Sequence, residues 1–463
     1  MGTLSNTLSD DIMEIILLSL PVKVLVNLKT VSRSWNQFLS SPSFAKAHFL
    51  TPHPSHPLVL FLRRENDHIL FLHDYPNDRK SHRSNLRVSM RMGGIVCRRM
   101  AESHGILCCL SRELHGDGQR ELHGDGQRDV FFVVNPVTSQ CTFVPSFLDL
   151  EVLDFGFYFD PQNCNYKILA GVKFGNSGKK VSSHRRWDSA NRVRYLIFNS
   201  SAQQWRIPKG TCPTEISPPR NTCIFLDRFL GDRIASIDSI IGITIGQTTY
   251  HLFLKYLMAF DMEMEEVKII PIPPRILRNV ISSSILVREG NLTLVQLTKF
   301  LKVTLWTLME DKNWEELVTI DISELVSEGS EEAPSLPLLF PFPLLGEVLF
   351  MSYCPTEELN LKKHGPSFLR YNMANGLLHV VDELSELRKL NPNFRRNWQN
   401  ATPIAAFWEE HLDCYDRNFL LYKPTLFSWK HAETVETNSR CDIKLLNLIK
   451  EDYMLFSSNR KKI

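Results

Sequence analysis

Closely spaced cysteine pairs are missing from this sequence: its ten cysteines are scattered, and no two are separated by two residues. Structural zinc modules need such pairs, and small secreted proteins stabilised by disulfides need a dense cysteine framework. The sequence therefore predicts no metal site, no cofactor site and reduced thiols. We expect a cytoplasmic or nuclear protein.

A strong excess of charge of either sign and a long apolar run are also lacking. The formal net charge is +2, whereas proteins that bind nucleic acid or anionic membranes usually carry a clear basic excess. The richest apolar run, 12–28, is interrupted by Glu14, Pro21 and Lys23, so it cannot cross a membrane. Asp10 lies where a secretory signal would need positive charge. We expect no nucleic-acid partner, no membrane span and no signal peptide.

The chain has enough residues for more than one domain. It contains 463 residues, of which 43% are hydrophobic and 22% are charged, values close to those of globular proteins. A helical pattern covers 8–49 and is followed by many short strands. We predict a helical domain over 1–50, a β domain over 51–412 and a C-terminal tail over 413–463 with at most one helix.

The first fifty residues predict three short helices. Ser9 is a suitable N-cap residue for the first, and Pro21 should end it. Apolar residues at helical spacing predict the other two: Val24, Leu25 and Leu28, then Val31, Trp35 and Phe38. The first helix is apolar around most of its circumference, which two short neighbours cannot cover. A protein partner is therefore expected.

The rest of the chain alternates between short strands and turns. About twenty strand segments follow one another between 58 and 381, including one long strand over 250–260. This even spacing suggests a sandwich, a barrel or a propeller. Twenty strands are too many for a simple sandwich, whereas a β-propeller of five to seven four-stranded blades accommodates them.

Four polar segments are predicted to be exposed loops. The eight residues ELHGDGQR at 113–120 are repeated without change at 121–128. The segments 79–99 and 175–191 are basic, and 327–343 is acidic and then rich in proline. His and Asp residues in the repeat lack a fixed geometry for a metal ion, so we predict no metal site there.

The helical region resembles the plant F-box. The matching stretches are LSDD at 8–11, EII at 14–16, SLPVK at 19–23, LKTVSRSW at 28–35 and SPSF at 41–44. Ser9 stands where many relatives have proline. The resemblance implies nine positions that dock, or support docking, onto a Skp-type adaptor: Leu8, Ile12, Ile15, Leu20, Pro21, Val24, Leu25, Val31 and Trp35.

The β region resembles the F-box-associated (FBA-type) domain of plant receptors, which is propeller-like. The matching elements are HGILC at 104–108, the NPVT turn at 135–138, FGFYFD at 155–160 with NYKI at 165–168, the strand and tryptophan over 195–205, and Leu305-Trp306 with Trp314. The glycine-aromatic strand pair that the family carries later in the domain is not recognisable between 205 and 260.

Together the two resemblances imply a non-catalytic substrate receptor of a Skp–cullin–F-box (SCF) ubiquitin ligase. The helical domain would bind the adaptor and, through it, cullin, and the β domain would hold a target protein for ubiquitination and degradation. The sequence does not identify the residues that bind the target. Two alternatives remain: an adaptor-binding protein that acts outside an active ligase, and a propeller enzyme with a helical appendage. The enzyme would need acid, base or metal-binding residues brought together at one face, and no pattern predicts them.

Overall fold

The structure is a computed structural model of the chain. It describes residues 10–51, 58–65, 68–73, 95–113, 128–138, 140–145, 152–174, 192–210, 212, 242–253, 255–323, 338–341, 348–354, 367–381, 419–422 and 425–429.

The N-terminal region forms helices α1 (Asp10–Ser19), α2 (Val22–Leu28), α3 (Arg33–Leu39) and α4 (Pro42–Leu50). The sequence predicted three helices, whereas the structure has four here. Ser41 and Pro42, which we interpreted as the end of the third helix, begin a fourth. The Ser41 hydroxyl accepts a hydrogen bond from the Phe44 amide at 3.3 Å, and proline suits the first helical turn because that turn leaves its amide groups unpaired.

The strands run from β1 to β23. Their bounds are β1 Leu58–Glu65, β2 His68–His73, β3 Ile95–Ser103, β4 Ile106–Glu113, β5 Arg128–Asn135, β6 Gln140–Phe143, β7 Val152–Asp160, β8 Asn165–Phe174, β9 Arg192–Asn199, β10 Gln204–Arg206, β11 Ile243–Ile245, β12 Thr248–Leu252, β13 Tyr256–Asp261, β14 Val267–Pro271, β15 Val280–Arg288, β16 Asn291–Thr298, β17 Lys302–Leu308, β18 Trp314–Asp321, β19 Leu338–Pro341, β20 Val348–Cys354, β21 Ser367–Asn372, β22 Leu377–Val381 and β23 Phe419–Tyr422.

Within the described residues these strands form six antiparallel sheets, which are the blades of a propeller. Blades 2 to 6 each consist of four consecutive strands, from β3–β6 to β19–β22. Blade 1 combines β1 and β2 with β23 from the other end of the chain, and Leu58 pairs with Tyr422. The first strand of each complete blade, and β23 in blade 1, lies innermost. The predicted helical domain followed by an all-β propeller is confirmed.

Neighbouring blades are joined by a repeated hydrogen bond from a tryptophan. In blade 3 the Trp205 indole donates to the Pro145 carbonyl, 2.8 Å away, just after the outer strand of blade 2. In blade 5 the Trp314 indole donates to the Pro271 carbonyl, 3.3 Å away, at the end of the outer strand of blade 4. Both rings are buried. Each tryptophan therefore fills the gap between two outer strands and satisfies its one donor.

Blades 3 and 4 share a buried polar cluster. The Asp154 carboxylate accepts hydrogen bonds from the Tyr195 hydroxyl, at 3.0 Å, and from Nδ1 of His251. Burial beside this carboxylate raises the pKa of Tyr195 well above its ordinary value. Close packing here depends on Gly156, because a Cβ atom at that position would lie 2.1 Å from the Thr249 methyl group. The cluster thus ties β7 to β12 by charge-assisted hydrogen bonds.

Both faces of a blade are covered by its neighbours, which explains the near-continuous apolar strands. Cys108 and Cys109 are adjacent in β4, so their side chains point to opposite faces. Both are nevertheless fully buried, because each face of the strand is covered. Aromatic side chains from β7 fill the space toward blade 2: the Phe155 and Phe131 rings lie 5.2 Å apart, centre to centre.

Several strand predictions need correction. The single strand predicted over 250–260 is two strands, β12 and β13, which pair antiparallel. Part of the predicted basic loop 79–99 belongs to β3, and part of the predicted loop 327–343 is β19. Blade 4 is complete although its sequence lacks the expected glycine-aromatic pair. Predicted loop 175–191 and the predicted helix in the tail lie outside the described residues.

The β domain extends beyond residue 412, the boundary predicted from sequence. Strand β23 lies in the predicted tail, as does the segment 425–429, four of whose five residues are buried. The boundary was misplaced because β23 has only four residues and a single short apolar run is a weak strand signal. Its partner β1 is distant in sequence and gives no local indication of the pairing.

The duplicated octapeptide provides a test of how the β4–β5 connection tolerates change. Glu113 pairs with Arg128. Deleting 121–128 would place Arg120 at the position of Arg128, since the two units are identical. We expect the pairing to be preserved and the free energy of unfolding to change by less than about 1 kcal/mol, because loop closure depends only weakly on length.

Urea unfolding of the intact chain and the deletion variant would measure this difference. A control variant in which 121–127 is replaced by seven Gly and Ser residues keeps Arg128 and separates the effect of composition from that of length. A loss of several kcal/mol in both variants would contradict the prediction, because it would show that the second unit packs against the blades.

Candidate functional site

The four helices expose an unusual number of large apolar side chains. Ile12, Ile15 and Ile16 lie at positions i, i+3 and i+4 of α1 and so share one face. Ile15 is 67% exposed. Outside α1, Val24, Val31 and Phe38 are exposed, and Val31 is 64% exposed; Leu50, the last residue of α4, is exposed as well. We call Ile12, Ile15, Ile16, Val24, Val31 and Phe38 the helical apolar surface. So many exposed apolar groups in so short a segment indicate a protein contact.

The same helices have a buried side that supports this surface. Leu17, Leu25, Leu39 and Phe44 are buried and belong to one core cluster with residues of blades 2 and 3. Two serine caps fix the helix starts: the Ser32 hydroxyl accepts from the Trp35 amide at 3.1 Å, and Ser41 does the same for α4. The exposed residues are therefore held on a packed base.

The structure places the nine predicted adaptor-binding residues in different environments. Ile12, Ile15, Val24 and Val31 belong to the helical apolar surface, and Pro21 is also exposed. Leu20 and Trp35 are partly buried against the core. Leu25 is completely buried, so it supports the helices from inside. Leu8 lies outside the described residues.

Sequence reasoning omitted two exposed residues from the predicted set. Ile16 lies one turn after Ile12, and Phe38 lies near the end of α3 with its ring 5.1 Å from the Phe44 ring, centre to centre. Phe38 was assigned to the apolar face of the third helix without being included. Helical spacing alone does not distinguish an outward apolar residue from one that packs inside.

The helices rest on one face of the propeller, which we call the helix-side face. The ring of Phe49 in α4 packs 5.5 Å from the ring of His104, in the turn between β3 and β4. Lys46 donates a hydrogen bond to Gln162 in the turn between β7 and β8. His104 and Gly105 have φ angles of 54° and 76°. A two-residue hairpin turn needs both in the left-handed region, and glycine adopts it without strain.

Beneath this contact lies a carboxylate with a perturbed pKa. Burial raises the pKa of Glu102 from 4.5 to about 7, although the Gly105 amide donates a hydrogen bond to it at 2.5 Å and opposes the shift. Burial also lowers the pKa of His104, against the opposing influence of Asp160. The β3–β4 turn under α4 thus holds weakly solvated ionisable groups.

Six long connections begin and end on the opposite face of the propeller, and one more, between β2 and β3, begins on the helix-side face. On the helix-side face the strands are joined by short turns, such as the two-residue turns after β3 and β15. The strand ends of the antiparallel sheets show that the connections after β4, β8, β10, β18, β20 and β22 begin and end on the other face. They span 114–127, 175–191, 207–242, 322–337, 355–366 and 382–418. The ends of strands on one face of a rigid domain are a common place for binding residues.

Two negative observations apply to the described residues only. That part of the chain contains no group of three or more His, Cys, Asp or Glu side chains arranged to hold a metal ion. None of its helices has the length and apolar character that crossing a membrane would need.

Comparison with known families agrees with this geometry. The N-terminal helices are those of an F-box domain, which matches residues 6–46. Residues 58–332 match the F-box associated beta propeller domain. The two domains together support a substrate-receptor role of the SCF type, and F-box domains generally bind Skp-type adaptors. The chain belongs to the family of F-box proteins with an F-box associated β-propeller. The predicted family is confirmed.

Comparisons with individual proteins were less informative. A search of the curated proteins found no match. Among solved structures, the SapL1 lectin in complex with alpha methyl fucoside is 9% identical with a TM-score of 0.33, covering 70% of this chain and 95% of the lectin. Trypanosoma rangeli sialidase in complex with sialic acid is 10% identical with a TM-score of 0.33, covering 68% of this chain and 51% of the enzyme.

The same sialidase in complex with the inhibitor DANA is 9% identical with a TM-score of 0.34, and the comparison covers 69% of this chain and 52% of the enzyme. This chain therefore spans about half the length of the sialidase. Likenesses this weak carry no conclusion about the ligand or the activity of the present protein.

Glu102 gives a testable pH dependence at the helix–propeller contact. Between pH 4.5 and about 7 the unfolded chain loses the Glu102 proton while the folded chain keeps it. The free energy of unfolding should therefore fall as pH rises through this window. Glu102→Gln keeps the acceptor for Gly105 and has no proton to lose. The variant should match the wild type at pH 4.5 and be more stable above pH 7 by on the order of 3 kcal/mol.

Urea unfolding at several pH values would measure this difference. Glu289→Gln, in the corresponding turn between β15 and β16, is the control because the Glu289 side chain is exposed; its pH curve should follow that of the wild type. A constant difference between Glu102→Gln and the wild type at every pH would show that Glu102 does not retain its proton.

Proposed function

We propose that this protein is the substrate-recognition subunit of a Skp–cullin–F-box ubiquitin ligase. The helical apolar surface binds a Skp-type adaptor, and the adaptor connects the protein to cullin. The propeller holds a target protein, which is ubiquitinated and then degraded by the proteasome. Catalysis belongs to the assembled complex, and this chain contributes by keeping the target near the charged ubiquitin carrier. A cytoplasmic or nuclear location fits this role.

The observation that supports adaptor binding most directly is the exposure of Ile12, Ile15 and Ile16 on one face of α1. Soluble proteins seldom leave three large neighbouring aliphatic side chains in water. These residues fall within the part of the chain that matches the F-box domain, 6–46. Since Leu25 and Leu39 already fill the interior of the helical domain, the exposed isoleucines are available to a partner.

For the target, we propose the propeller face opposite the helices. The adaptor and the target must bind at the same time, so their surfaces cannot overlap. The helix-side face is occupied by α4 and carries short turns. The connections that leave β4, β8, β10, β18, β20 and β22 supply the variable chain length that a protein target could contact.

Substitutions on the helical apolar surface test adaptor binding without damaging the core. Ile15→Asp and Val31→Asp should each weaken binding at least roughly thirtyfold, because an interface anchor is worth about 2 kcal/mol and a buried unpaired charge adds to the cost. Both side chains are mostly exposed in the free chain. The melting temperature should therefore change little.

Calorimetric titration of each variant with a purified Skp-type adaptor would measure the affinity. Ile269→Asp, on the exposed outer strand of blade 4, is the matched control and should bind like the wild type. Leu25 is unsuitable for this test because its substitution would unfold the helices. Unchanged affinity in both surface variants would rule out the helical apolar surface as the docking site.

A cellular experiment separates a ligase receptor from an adaptor-binding protein that acts outside a ligase. In cells that express the Ile15→Asp variant, the propeller should still capture the target, but without cullin the target should accumulate. Target half-life, measured after a block of protein synthesis, should therefore lengthen relative to the Ile269→Asp control. Turnover that is unchanged, together with an absence of cullin from the purified wild-type complex, would support the function outside a ligase.

A further inference from the structure

The segment 425–429 lies between the helical domain and the propeller. Thr425, Leu426, Phe427 and Trp429 are buried, and Phe427 is completely inaccessible. The segment follows β23, the strand that pairs with β1 in blade 1. It therefore joins the last strand of the propeller to the surface on which the helices rest.

Backbone and side-chain hydrogen bonds fix this segment to blade 2. The buried side chain of Asn135, at the end of β5, donates to the carbonyls of Thr425 and Phe427 at 3.1 and 2.7 Å. The Gln140 side chain donates to the Trp429 carbonyl at 2.8 Å and accepts from its amide at 3.3 Å. The Trp429 indole donates to the Thr142 hydroxyl at 3.0 Å. This set of bonds gives the segment one defined path across the blade.

On the other side, the segment contacts the helical domain through Phe427. Its ring lies 5.5 Å from the ring of Phe49 in α4 and 5.4 Å from the ring of Phe159 in β7, centre to centre in both cases. Phe427 thus connects a helix with blade 3, while its own backbone is held by blade 2. Aromatic pairs at such distances add to the free energy of burial.

The helices also contact the blades directly, through buried apolar residues of the shared core cluster and through two side chains of α4. Phe49 packs on His104, and Lys46 reaches Gln162. The covalent link between α4 and β1 covers about seven residues, which could reach up to about 23 Å when extended. A link of this reach does not define an orientation by itself.

We infer that the segment 425–429 is a clamp that sets the orientation of the F-box domain on the propeller. Phe427 is the central positioning residue and Asn135 is its anchor. This inference deepens the proposed function: a fixed angle between the adaptor-binding helices and the propeller determines where a captured target is presented to the charged ubiquitin carrier. Loss of the clamp should leave the adaptor-binding surface and the target-binding face intact. It should remove the fixed angle between them.

Hydrogen exchange on the free chain tests the clamp without any partner. We compare the full chain with chains that end at residue 430 or at residue 424, and with Phe427→Ala. In the chain that ends at 424 and in Phe427→Ala, amide exchange in α4 should rise roughly tenfold or more, while exchange in β16 of blade 5 stays unchanged. The chain that ends at 430 keeps the clamp and should behave like the full chain. Trp314→Ala, a buried ring in blade 5, is the control that should affect β16 and leave α4 unchanged.

Förster energy transfer between a labelled Skp-type adaptor and a dye on blade 5 then measures the orientation itself. In the complex the full chain should give a narrow distance distribution, and Phe427→Ala a broad one, with adaptor affinity within twofold of the wild type. A purely structural role for Phe427 would lower stability without broadening the distribution. If the wild-type chain fails to bind the adaptor, the proposed function is wrong, and hydrogen exchange still decides on the clamp.

A distribution that stays narrow in Phe427→Ala would overturn the inference, and so would either of two results of the exchange experiment. In the first, amide exchange in α4 is the same in the full chain, in the chain that ends at 424 and in Phe427→Ala. The second is exchange that rises together in α4 and β16 in both, which would make the segment a general folding element.

Discussion

The pairing of β1 with β23 is the constraint on which the other contacts depend. It joins the two ends of the propeller in one sheet, with Leu58 opposite Tyr422 and Phe61 opposite Phe419. Because β23 also lies beside β3, the segment 425–429 that follows it reaches Asn135 and Gln140, which hold it on blade 2. The exposed isoleucines of α1 are therefore presented by a helical domain whose base is anchored at both ends of the chain.

Much of this arrangement could be predicted from sequence because the informative signals were local. The Asn135-Pro136 turn inside blade 2 and the strand pair around Gly156 in blade 3 could be recognised from their own residues. The F-box pattern around Pro21 and Trp35 fixed the order of the helices. These features depend on residues within one or two turns or strands of each other, and such interactions determine local structure strongly.

The features that sequence did not predict depend on distant residues. Strand β23 has four residues and forms because β1 offers a free edge, which only the closed ring brings near. We interpreted Asn135 as a turn residue. Its hydrogen bonds to Thr425 and Phe427 could not be predicted, because about 290 residues separate it from them in the sequence. For the docking surface, the spacing of apolar residues predicted both Ile15 and Leu25 as adaptor-binding residues, without distinguishing them. The structure distinguishes them, because only tertiary packing decides which apolar residue of a short helix is left in water.

The order of protein synthesis gives the closing sheet a further consequence. The ribosome produces β1 and β2 among the first strands and β23 among the last, so the inner edge of blade 1 lacks its partner for most of translation. During that time an unpaired strand edge and the underside of α4 are open to other chains. We expect nascent chains to need a chaperone at this edge. A truncated product that lacks β23 would present adaptor-binding helices on an open ring, and would compete with intact receptors for adaptor.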